Sequence, residues 1–391
     1  MTASCDLPML LARVRAASPV EAVDVLADDL RALLDAIEVR FLVTNVTGRS
    51  AVVYAGTGAN AARLREHGER PELVPLPGTA YETALRAQTL LREPLDGSGE
   101  RLIAPVSDHG DALGVIEVWL GRPATAHAIE DLLGVTGVLA YLLIAVRRHS
   151  DLEDWAQSTE PFSLAAEIQR RLLPGSYTCD TGAFAVSGWL EPANAVGGDT
   201  FDYSVDRDHL HLSITDAVGN DVNAALLASV LMGSLRNSRR NGATLAEQAR
   251  RANDALAAHS AVGQFVTGQL ARVDLRSGRM LLVNAGHPFP YRIRDGRVEE
   301  IELTIDMPFG LFPGRELRVQ EIDLRPGDRI LLLTDGMLER NAVRLDLPAM
   351  LTASAPRHPR EVVYELAEAV LHGTGGRLDD DATILCLDWR G

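Results

Sequence analysis

Four short motifs in the second half of the chain each place aspartate beside small residues at the end of a predicted strand. They are Val196-Gly-Gly-Asp199, Ile214-Thr-Asp216-Ala-Val-Gly219, Leu333-Thr-Asp335-Gly336 and Asp379-Asp380-Asp381-Ala-Thr383. Four or five carboxylates that converge in one fold cannot all stay ionised without cations. An oxygen-only ligand set, without histidine or cysteine, favours hard ions such as Mg²⁺ or Mn²⁺ over Zn²⁺.

Taken singly, each of these aspartates is more typical of a turn or a helix cap. Asp335 follows the apolar run 330–333 and could cap the segment after it. A carboxylate at the end of a buried strand nevertheless needs a partner, and the chain has no lysine, because all 38 basic residues are arginines. Jointly, with glycines beside three of the motifs, the aspartates favour a metal cluster.

Composition excludes several classes of protein. A formal net charge of −16 disfavours nucleic-acid binding, which requires basic patches. The absence of lysine excludes a Walker A site, a Schiff base and a kinase-type lysine. The N-terminus lacks the basic region of a signal peptide, and the apolar run 132–146 is shorter than the roughly 20 residues of a membrane span. Three distant cysteines, Cys5, Cys179 and Cys386, fit a reducing compartment, so we expect a cytoplasmic protein without membrane contact.

Short strands and turns dominate the chain from residue 176 onward, and helices are predicted near 223–240, 244–258 and 359–372. Mostly antiparallel strands with a few helices predict an α+β domain of two stacked sheets with helices outside. The strands must bring the four aspartate motifs to one edge for a metal site to form.

The first third has the predicted order helix, hairpin, helix, hairpin and a long helix from 126 to about 156. This order, with Leu113-Gly-Val-Ile-Glu-Val118, resembles a GAF domain, a small α/β sensor fold. The resemblance implies an unknown small-molecule ligand.

We predict a sensor domain at 1–145, a helical linker at 146–175 and a second domain at 176–391. Within the linker, Leu164, Ile168 and Leu172 share one face of a helix capped by Ser163. The helical linker suggests either a relay that dimerises and transmits a signal between the domains, or a plain spacer.

The second domain resembles the SpoIIE-type, RsbU-like branch of the PPM metal-dependent Ser/Thr protein phosphatases. Beside the aspartate motifs, the resemblance rests on Ala166-Glu-Ile-Gln-Arg-Arg-Leu-Leu-Pro174, Phe265-Val-Thr267, Asn284-Ala-Gly-His-Pro288, Pro308-Phe-Gly310, Pro326-Gly-Asp328 and Glu339. The family implies a β-sandwich flanked by helices, with two Mn²⁺ or Mg²⁺ ions at one edge.

The resemblance also assigns roles by motif. Asp216 would bridge both metals. The Ala217 carbonyl would coordinate the first metal, and Asp199 would coordinate the same metal directly or through water. Asp335 and Asp380 would hold the second metal, with Asp381 as the alternative to Asp380. Asp202 is a candidate for a catalytic role, either as a residue that contacts the metal ligands or as a ligand of a third metal. Since residues 199 and 202 would point to opposite faces of a strand, a bulge would be required for both to reach one site.

Two metals about 4 Å apart would activate a water for in-line attack on phosphorus, so no protein nucleophile is required. His287 is interpreted as a turn-packing residue rather than a general acid. Two departures from the family pattern stand out: Gly219-Asn-Asp221 replaces Gly-His-Gly, and no arginine clearly matches the phosphate-binding one.

The leading hypothesis is a phosphoserine/phosphothreonine protein phosphatase that acts on a phosphorylated STAS-type anti-anti-sigma protein. A catalytically silent phosphoprotein-binding relay and a hydrolase of small phosphate esters are the alternatives. The linker helices suggest a possible homodimer.

Overall fold

The computed structural model describes residues 7–45, 48–57, 73–157, 163–193, 197–219, 221–338, 346–375, 378 and 380–391. The chain divides into two compact units, the N-terminal unit (Met1–Pro161) and the C-terminal unit (Phe162–Gly391). Val196, Asn220, Glu339 and Asp379, which belong to the motifs above, lie outside the described residues, as does Cys5.

The N-terminal unit is one antiparallel sheet with helices. Its elements are α1 (Leu7–Ala16), α2 (Ala22–Leu34), β1 (Ala36–Thr44), β2 (Ser50–Gly56), β3 (Leu73–Pro75), α3 (Ala80–Ala87), β4 (Leu91–Pro94), β5 (Glu100–Asp108), β6 (Asp111–Leu120), α4 (Ala126–Val146) and α5 (Leu152–Gln157). The strand order is β3-β2-β1-β6-β5-β4. One sheet face packs against α2 and α4 in the main core, and the other packs against α3 in a smaller one. The predicted order of elements is therefore present, while the assignment to the GAF family stays a prediction.

The helix α4 begins at Ala126 as predicted but ends about ten residues before the predicted residue 156. Its 21 residues make it the one helix among the described residues that is long and apolar enough to cross a membrane, by length and composition alone. The helix reaches this length because it begins at Ala126, six residues before the apolar run 132–146 on which the sequence expectation rested. It ends at Val146, because Arg147, Arg148 and His149 are exposed and offer no apolar face to bury. Seven of its residues are buried within the N-terminal unit.

The C-terminal unit alternates short strands with helices. Its elements are α6 (Leu164–Leu172), β7 (Thr178–Asp180), β8 (Phe184–Glu191), β9 (Thr200–Val205), β10 (His209–Ala217), α7 (Val222–Arg240), α8 (Leu245–His259), β11 (Val266–Asp274), β12 (Met280–Ala285), β13 (Tyr291–Arg294), β14 (Arg297–Glu300), β15 (Gln320–Ile322), β16 (Arg329–Leu333), a 3-10 turn (Asp335–Met337), α9 (Leu347–Ala353), α10 (Pro359–Gly373) and β17 (Ala382–Trp389).

Two antiparallel sheets stack in this unit and confirm the predicted α+β sandwich. Their strand orders are β15-β12-β11-β10-β9 and β14-β13-β16-β17-β8-β7. The apolar core between the sheets takes side chains from both, for example Phe201 and Ile214 from one and Leu332 and Leu385 from the other. The helices α7 and α8 cover the outer face of the five-stranded sheet, and α9 and α10 cover that of the six-stranded sheet.

The predicted helical linker at 146–175 is divided between the two units. The helix α5 packs in the N-terminal unit, where Ala156 is fully buried. The helix α6 packs in the C-terminal unit, but not on the predicted face. Leu164 is 67% exposed, whereas Ala165 and Gln169 are buried. The difference arises because the Gln169 amide finds two hydrogen-bond acceptors inside the unit.

Candidate metal centre

Strand pairing brings the four aspartate motifs to one edge of the sandwich. In the five-stranded sheet, the end of β10 lies beside the start of β9, with Thr215 paired to Thr200. In the other sheet, the end of β16 lies beside the start of β17, with Leu333 paired to Ile384. Hydroxyl contacts join the two sheets at this edge, because Thr334 and Thr383 both reach Asp199. The ends of β10 and β16 and the starts of β9 and β17 therefore form this edge.

Asp199 is the buried end of the carboxylate cluster. Its Oδ2 accepts hydrogen bonds from Thr334 Oγ1 at 2.8 Å and Thr383 Oγ1 at 2.6 Å. Burial, then the negative charges of Asp216 and Asp381, raise the pKa of Asp199 well above its ordinary value. The two hydroxyls fix the orientation of the carboxylate, so the other oxygen, Oδ1, is the one directed away from them.

Asp216 occupies the middle of the cluster. Burial, followed by the charges of Asp335 and Asp380, raises the pKa of Asp216 to about 7, and a hydrogen bond with Asp199 opposes that rise. Asp216 therefore hydrogen-bonds to Asp199 and lies close enough to Asp335, Asp380 and Asp381 for their charges to raise its pKa.

Asp335 and Asp380 form the open side of the cluster. Asp335 begins the 3-10 turn after β16 and is exposed. It is not the helix cap considered from the sequence, because the cap position belongs to Thr334. Asp380 is half-buried, and burial and then the charge of Asp335 raise its pKa. The cluster thus runs from the buried Asp199 to the exposed Asp335.

Asp381 differs from its neighbour Asp380. Its side chain is buried, Oδ1 accepts from the Ala193 N–H at 2.9 Å, and Oδ2 accepts from the Gln169 amide. The Gly197 N–H also contributes a hydrogen bond. Protein donors therefore occupy both oxygens of Asp381, whereas Asp380 accepts a hydrogen bond at Oδ1 from the Asp381 N–H at 2.8 Å and lies near Asp335 and Asp216.

Asp202 does not join the cluster. The strand β9 pairs with β10 without a register shift from Thr200 to Val205, so the bulge needed to turn Asp202 toward the site is missing. Its carboxylate binds Arg236 at 2.9 Å and Arg239 at 3.0 Å, both on α7. The structure therefore corrects the expectation of a catalytic role: Asp202 ties β9 to α7.

Two other residues singled out from the sequence have structural roles. His287 is buried, and Asn284 binds its backbone N–H and C=O through the side-chain amide. Burial lowers the pKa of His287 to about 3, so the ring is neutral at physiological pH, in keeping with the interpretation as a packing residue. Asp221 caps α7 by accepting from the N–H groups of Asn223 and Ala224.

The donor set fits a hard divalent cation, since the cluster offers only carboxylate and carbonyl oxygens. Among the described residues, no three His, Cys, Asp or Glu side chains are arranged to hold a metal ion by themselves. An ion here would take further ligands from the backbone or from water. Gly198 leaves room for such a ligand, because a Cβ at this position would overlap the Ala217 carbonyl oxygen.

Comparison with known proteins agrees with this geometry. Residues 206–390 match the family model described as Stage II sporulation protein E (SpoIIE). This part of the chain belongs to the SpoIIE family. The match contains Asp216, Asp335, Asp380 and Asp381 and begins after Asp199. The resemblance inferred from the sequence motifs is thereby confirmed for the phosphatase-type domain.

Two curated relatives are phosphatases of Bacillus subtilis (strain 168). Phosphoserine phosphatase RsbU is 23% identical over 273 residues, which cover 67% of this chain and 79% of RsbU. Phosphoserine phosphatase RsbP is 22% identical over 213 residues, 53% of this chain and 51% of RsbP. The chain thus spans most of the length of RsbU and about half of that of RsbP.

Solved structures are also similar to this chain. The PP2C phosphatase domain of SpoIIE from Bacillus subtilis, solved with a fragment of its regulatory domain, has a TM-score of 0.46 and 13% identity, covering 77% of this chain and 82% of that one. The SiaA-PP2C domain of Pseudomonas aeruginosa has a TM-score of 0.48 and 22% identity, covering 58% and 94%.

Gly198→Ala tests the close approach beside the cluster. Because the added Cβ would overlap the Ala217 carbonyl oxygen, we expect the free energy of unfolding to fall by about 1–3 kcal/mol and Mn²⁺ binding to weaken. Urea denaturation and a Mn²⁺ titration measure the two effects. Gly182→Ala is the matched control, since a Cβ there meets no atom within 4 Å. Unchanged stability and Mn²⁺ affinity in Gly198→Ala would contradict the predicted overlap.

Proposed function

We propose that this chain is a Mn²⁺- or Mg²⁺-dependent phosphatase that hydrolyses phosphoserine or phosphothreonine in proteins. The observation that supports it most is the position of Asp216, which hydrogen-bonds to Asp199 and lies near Asp335, Asp380 and Asp381. Membership of the SpoIIE family agrees with it.

The proposed ligands follow the roles that the family resemblance implies for these motifs. Asp216 serves both cations, the Ala217 carbonyl and Asp199 serve the first, and Asp335 and Asp380 serve the second. Two such cations would lower the pKa of a water between them and neutralise the phosphate oxygens. Thr334 and Thr383 hold Asp199 in a single orientation. The phosphoester approaches from the side of Asp335, the exposed member of the cluster.

The proposed substrate is a phosphorylated STAS-type anti-anti-sigma protein. Support comes from the similarity to RsbU and RsbP, both of which are phosphoserine phosphatases. We further propose that the N-terminal unit is a GAF-like sensor with a small-molecule ligand, that the chain forms a homodimer, and that it acts in the cytoplasm. A reducing compartment suits the buried Cys386, which is in no disulfide.

Phosphate release by the purified full-length chain tests the proposal. The substrates are a phosphoserine STAS protein and a small aryl phosphate, assayed with Mn²⁺, with EDTA, and with Asp335→Ala. We expect release from the phosphoprotein that requires Mn²⁺ and is lost in Asp335→Ala, while Asp274→Ala, in an exposed hairpin turn, keeps it. Faster turnover of the aryl phosphate would favour a hydrolase of small esters. Mn²⁺ binding without release from either substrate would favour a silent phosphoprotein-binding relay.

A further inference from the structure

Five apolar residues are exposed beside the carboxylate cluster, on the side of the five-stranded sheet. Their exposed fractions lie between 37% and 107%, and they are Val218, Val222, Leu226, Val262 and Met307. Single exposed apolar residues are ordinary on a protein surface, whereas several of them at one place mark an interaction site. We call these five residues the edge patch.

Strand pairing places the edge patch next to the cluster. Val218 follows Asp216 by two residues, so their Cα atoms are at most about 7 Å apart. The Val218 N–H donates to the Phe265 carbonyl at 3.1 Å, which brings the turn before β11 to the same edge. This turn carries Val262.

The turn before β11 holds Val262 in water. The Gln264 side chain accepts from the Ala261 N–H at 2.9 Å, and the Gln264 N–H donates to the Ala261 carbonyl at 3.1 Å. Val262 is 107% exposed, so its side chain contributes no buried apolar area to folding. A valine that a closed turn keeps in water gains burial only from a partner.

The other members of the edge patch lie on either side of this turn. Val222 and Leu226 are one turn apart at the start of α7, on the face opposite its buried side chains. Met307 lies at the same edge, because Phe309, two residues later, pairs with Val266 at the start of β11. The patch therefore extends outward from the cluster along the ends of neighbouring elements.

A protein that presents a phosphoserine to the cluster covers the surface around it. A stable protein–protein contact buries about 800 Å² on each partner, which corresponds to a disc of about 16 Å radius. The chain has a formal net charge of −16, and a phosphoserine carries about −1.5 to −2 charges, so long-range attraction does not favour their encounter. Apolar burial is the source of binding free energy that this surface offers.

We propose that the edge patch is the docking surface for the phosphoprotein substrate, and that it packs against an apolar surface of that protein next to the phosphoserine. A small phosphate ester reaches the cluster without covering the patch. The patch therefore selects phosphoproteins over small esters, and Leu226 and Val262 are specificity-determining residues. This inference deepens the proposed function and rests on it.

Steady-state kinetics of the full-length chain with Mn²⁺ separate docking from catalysis. The substrates are a phosphoserine STAS protein and a small aryl phosphate, and the variants are Leu226→Gln, Val262→Ser and the double variant. Glutamine keeps the helix propensity of leucine, and serine suits an exposed turn. Val205→Ser is the matched control, because Val205 is 47% exposed and lies at the end of β9 that is remote from the cluster.

We expect kcat/KM for the phosphoprotein to fall about 5-fold in each single variant and about 20-fold in the double variant, as for interface residues that contribute to binding. The change should lie mainly in KM. The aryl phosphate kinetics and the Mn²⁺ affinity should stay at their wild-type values, and Val205→Ser should behave as the wild type does with both substrates.

Two results would overturn the inference. An equal loss with both substrates would mean that the variants disturb the metal centre and not docking. An unchanged or raised kcat/KM for the phosphoprotein in the double variant would mean that the substrate does not dock on the edge patch, and a rise would assign the patch to a contact that holds the enzyme inactive.

Direct binding keeps the inference testable apart from the proposed function. If the wild-type chain releases phosphate from neither substrate, the proposed phosphatase activity is refuted, and the dissociation constant of the phosphoserine STAS protein decides about docking. Weaker binding to the double variant than to the wild type and Val205→Ser supports the docking surface. Equal binding to all of them, or no binding to the wild type, overturns it.

Discussion

Asp216→Asn is expected to abolish Mn²⁺ binding and phosphate release together. Asp216 hydrogen-bonds to Asp199 and lies near Asp335 and Asp380, so under the proposed ligand assignment its loss removes a ligand from both cations. Metal ions contribute several kcal/mol of transition-state stabilisation, which corresponds to a loss of about 100-fold or more in turnover. Phosphate release and a Mn²⁺ titration on the same preparation measure the two losses.

Asp274→Asn is the matched control for this variant. It makes the same chemical change in an exposed hairpin turn of the same unit, and it should leave Mn²⁺ binding and turnover unchanged. If Asp216→Asn binds as many Mn²⁺ ions per chain as the wild type does, then Asp216 does not bridge two cations. Retained Mn²⁺ binding with lost turnover would instead assign Asp216 to substrate positioning.

The convergence of the aspartate motifs could be predicted because it depends on features that the sequence displays. Each motif follows or precedes an apolar segment, and antiparallel pairing of such segments places their ends at common edges. The structure brings Asp199, Asp216, Asp335 and Asp380 together in this way. The two-sheet architecture followed from the same alternation of strands and turns.

The distinction between Asp380 and Asp381 could not be predicted, because three consecutive aspartates leave the register open. The pairing of Leu333 with Ile384 fixes that register, and it requires contacts between distant parts of the chain. Asp202 is a different case: strand alternation already indicated that it would point away from Asp199. The arginines that bind Asp202, Arg236 and Arg239, lie more than 30 residues away in the sequence, and no local sequence pattern identifies them as its partners.

Gln169 was missed for a physical reason. The spacing of Leu164, Ile168 and Leu172 predicted an apolar inner face for α6, since burial of a glutamine costs free energy unless its amide is hydrogen-bonded. The acceptors that meet this requirement come from residues 199 and 381, and neither is near α6 in sequence. The sequence held one signal, because Gln169 belongs to the motif Ala166–Pro174 that carries the family resemblance.

The metal-free protein is expected to lose stability as the pH rises from about 4 to 7, and Asp216→Asn should reduce this loss, because Asp199, Asp380 and Asp381, whose pKa values are also raised, still contribute to it. The folded chain raises the pKa of Asp216 from 3.8 to about 7, so the folded state holds a proton that the unfolded state releases. The stabilising contribution of that proton is complete below the unfolded pKa and is lost as the pH passes through the folded one. The size of the loss is on the order of 4 kcal/mol.

The comparison of wild type with Asp216→Asn isolates this contribution, because carboxylates elsewhere titrate in both proteins. Asp180 is one of them: Arg390 and His358 outweigh its burial and lower its pKa, so its contribution is lost only on acidification and cancels in the difference. Urea unfolding in EDTA at several pH values from 4.5 to 7.5 should give a difference that grows with pH in favour of the variant. Mn²⁺ should reverse the trend for the wild type, since cations bind the deprotonated carboxylates. A difference independent of pH would mean that Asp216 ionises like an exposed carboxyl, and the like-charged, buried cluster described here would then be wrong.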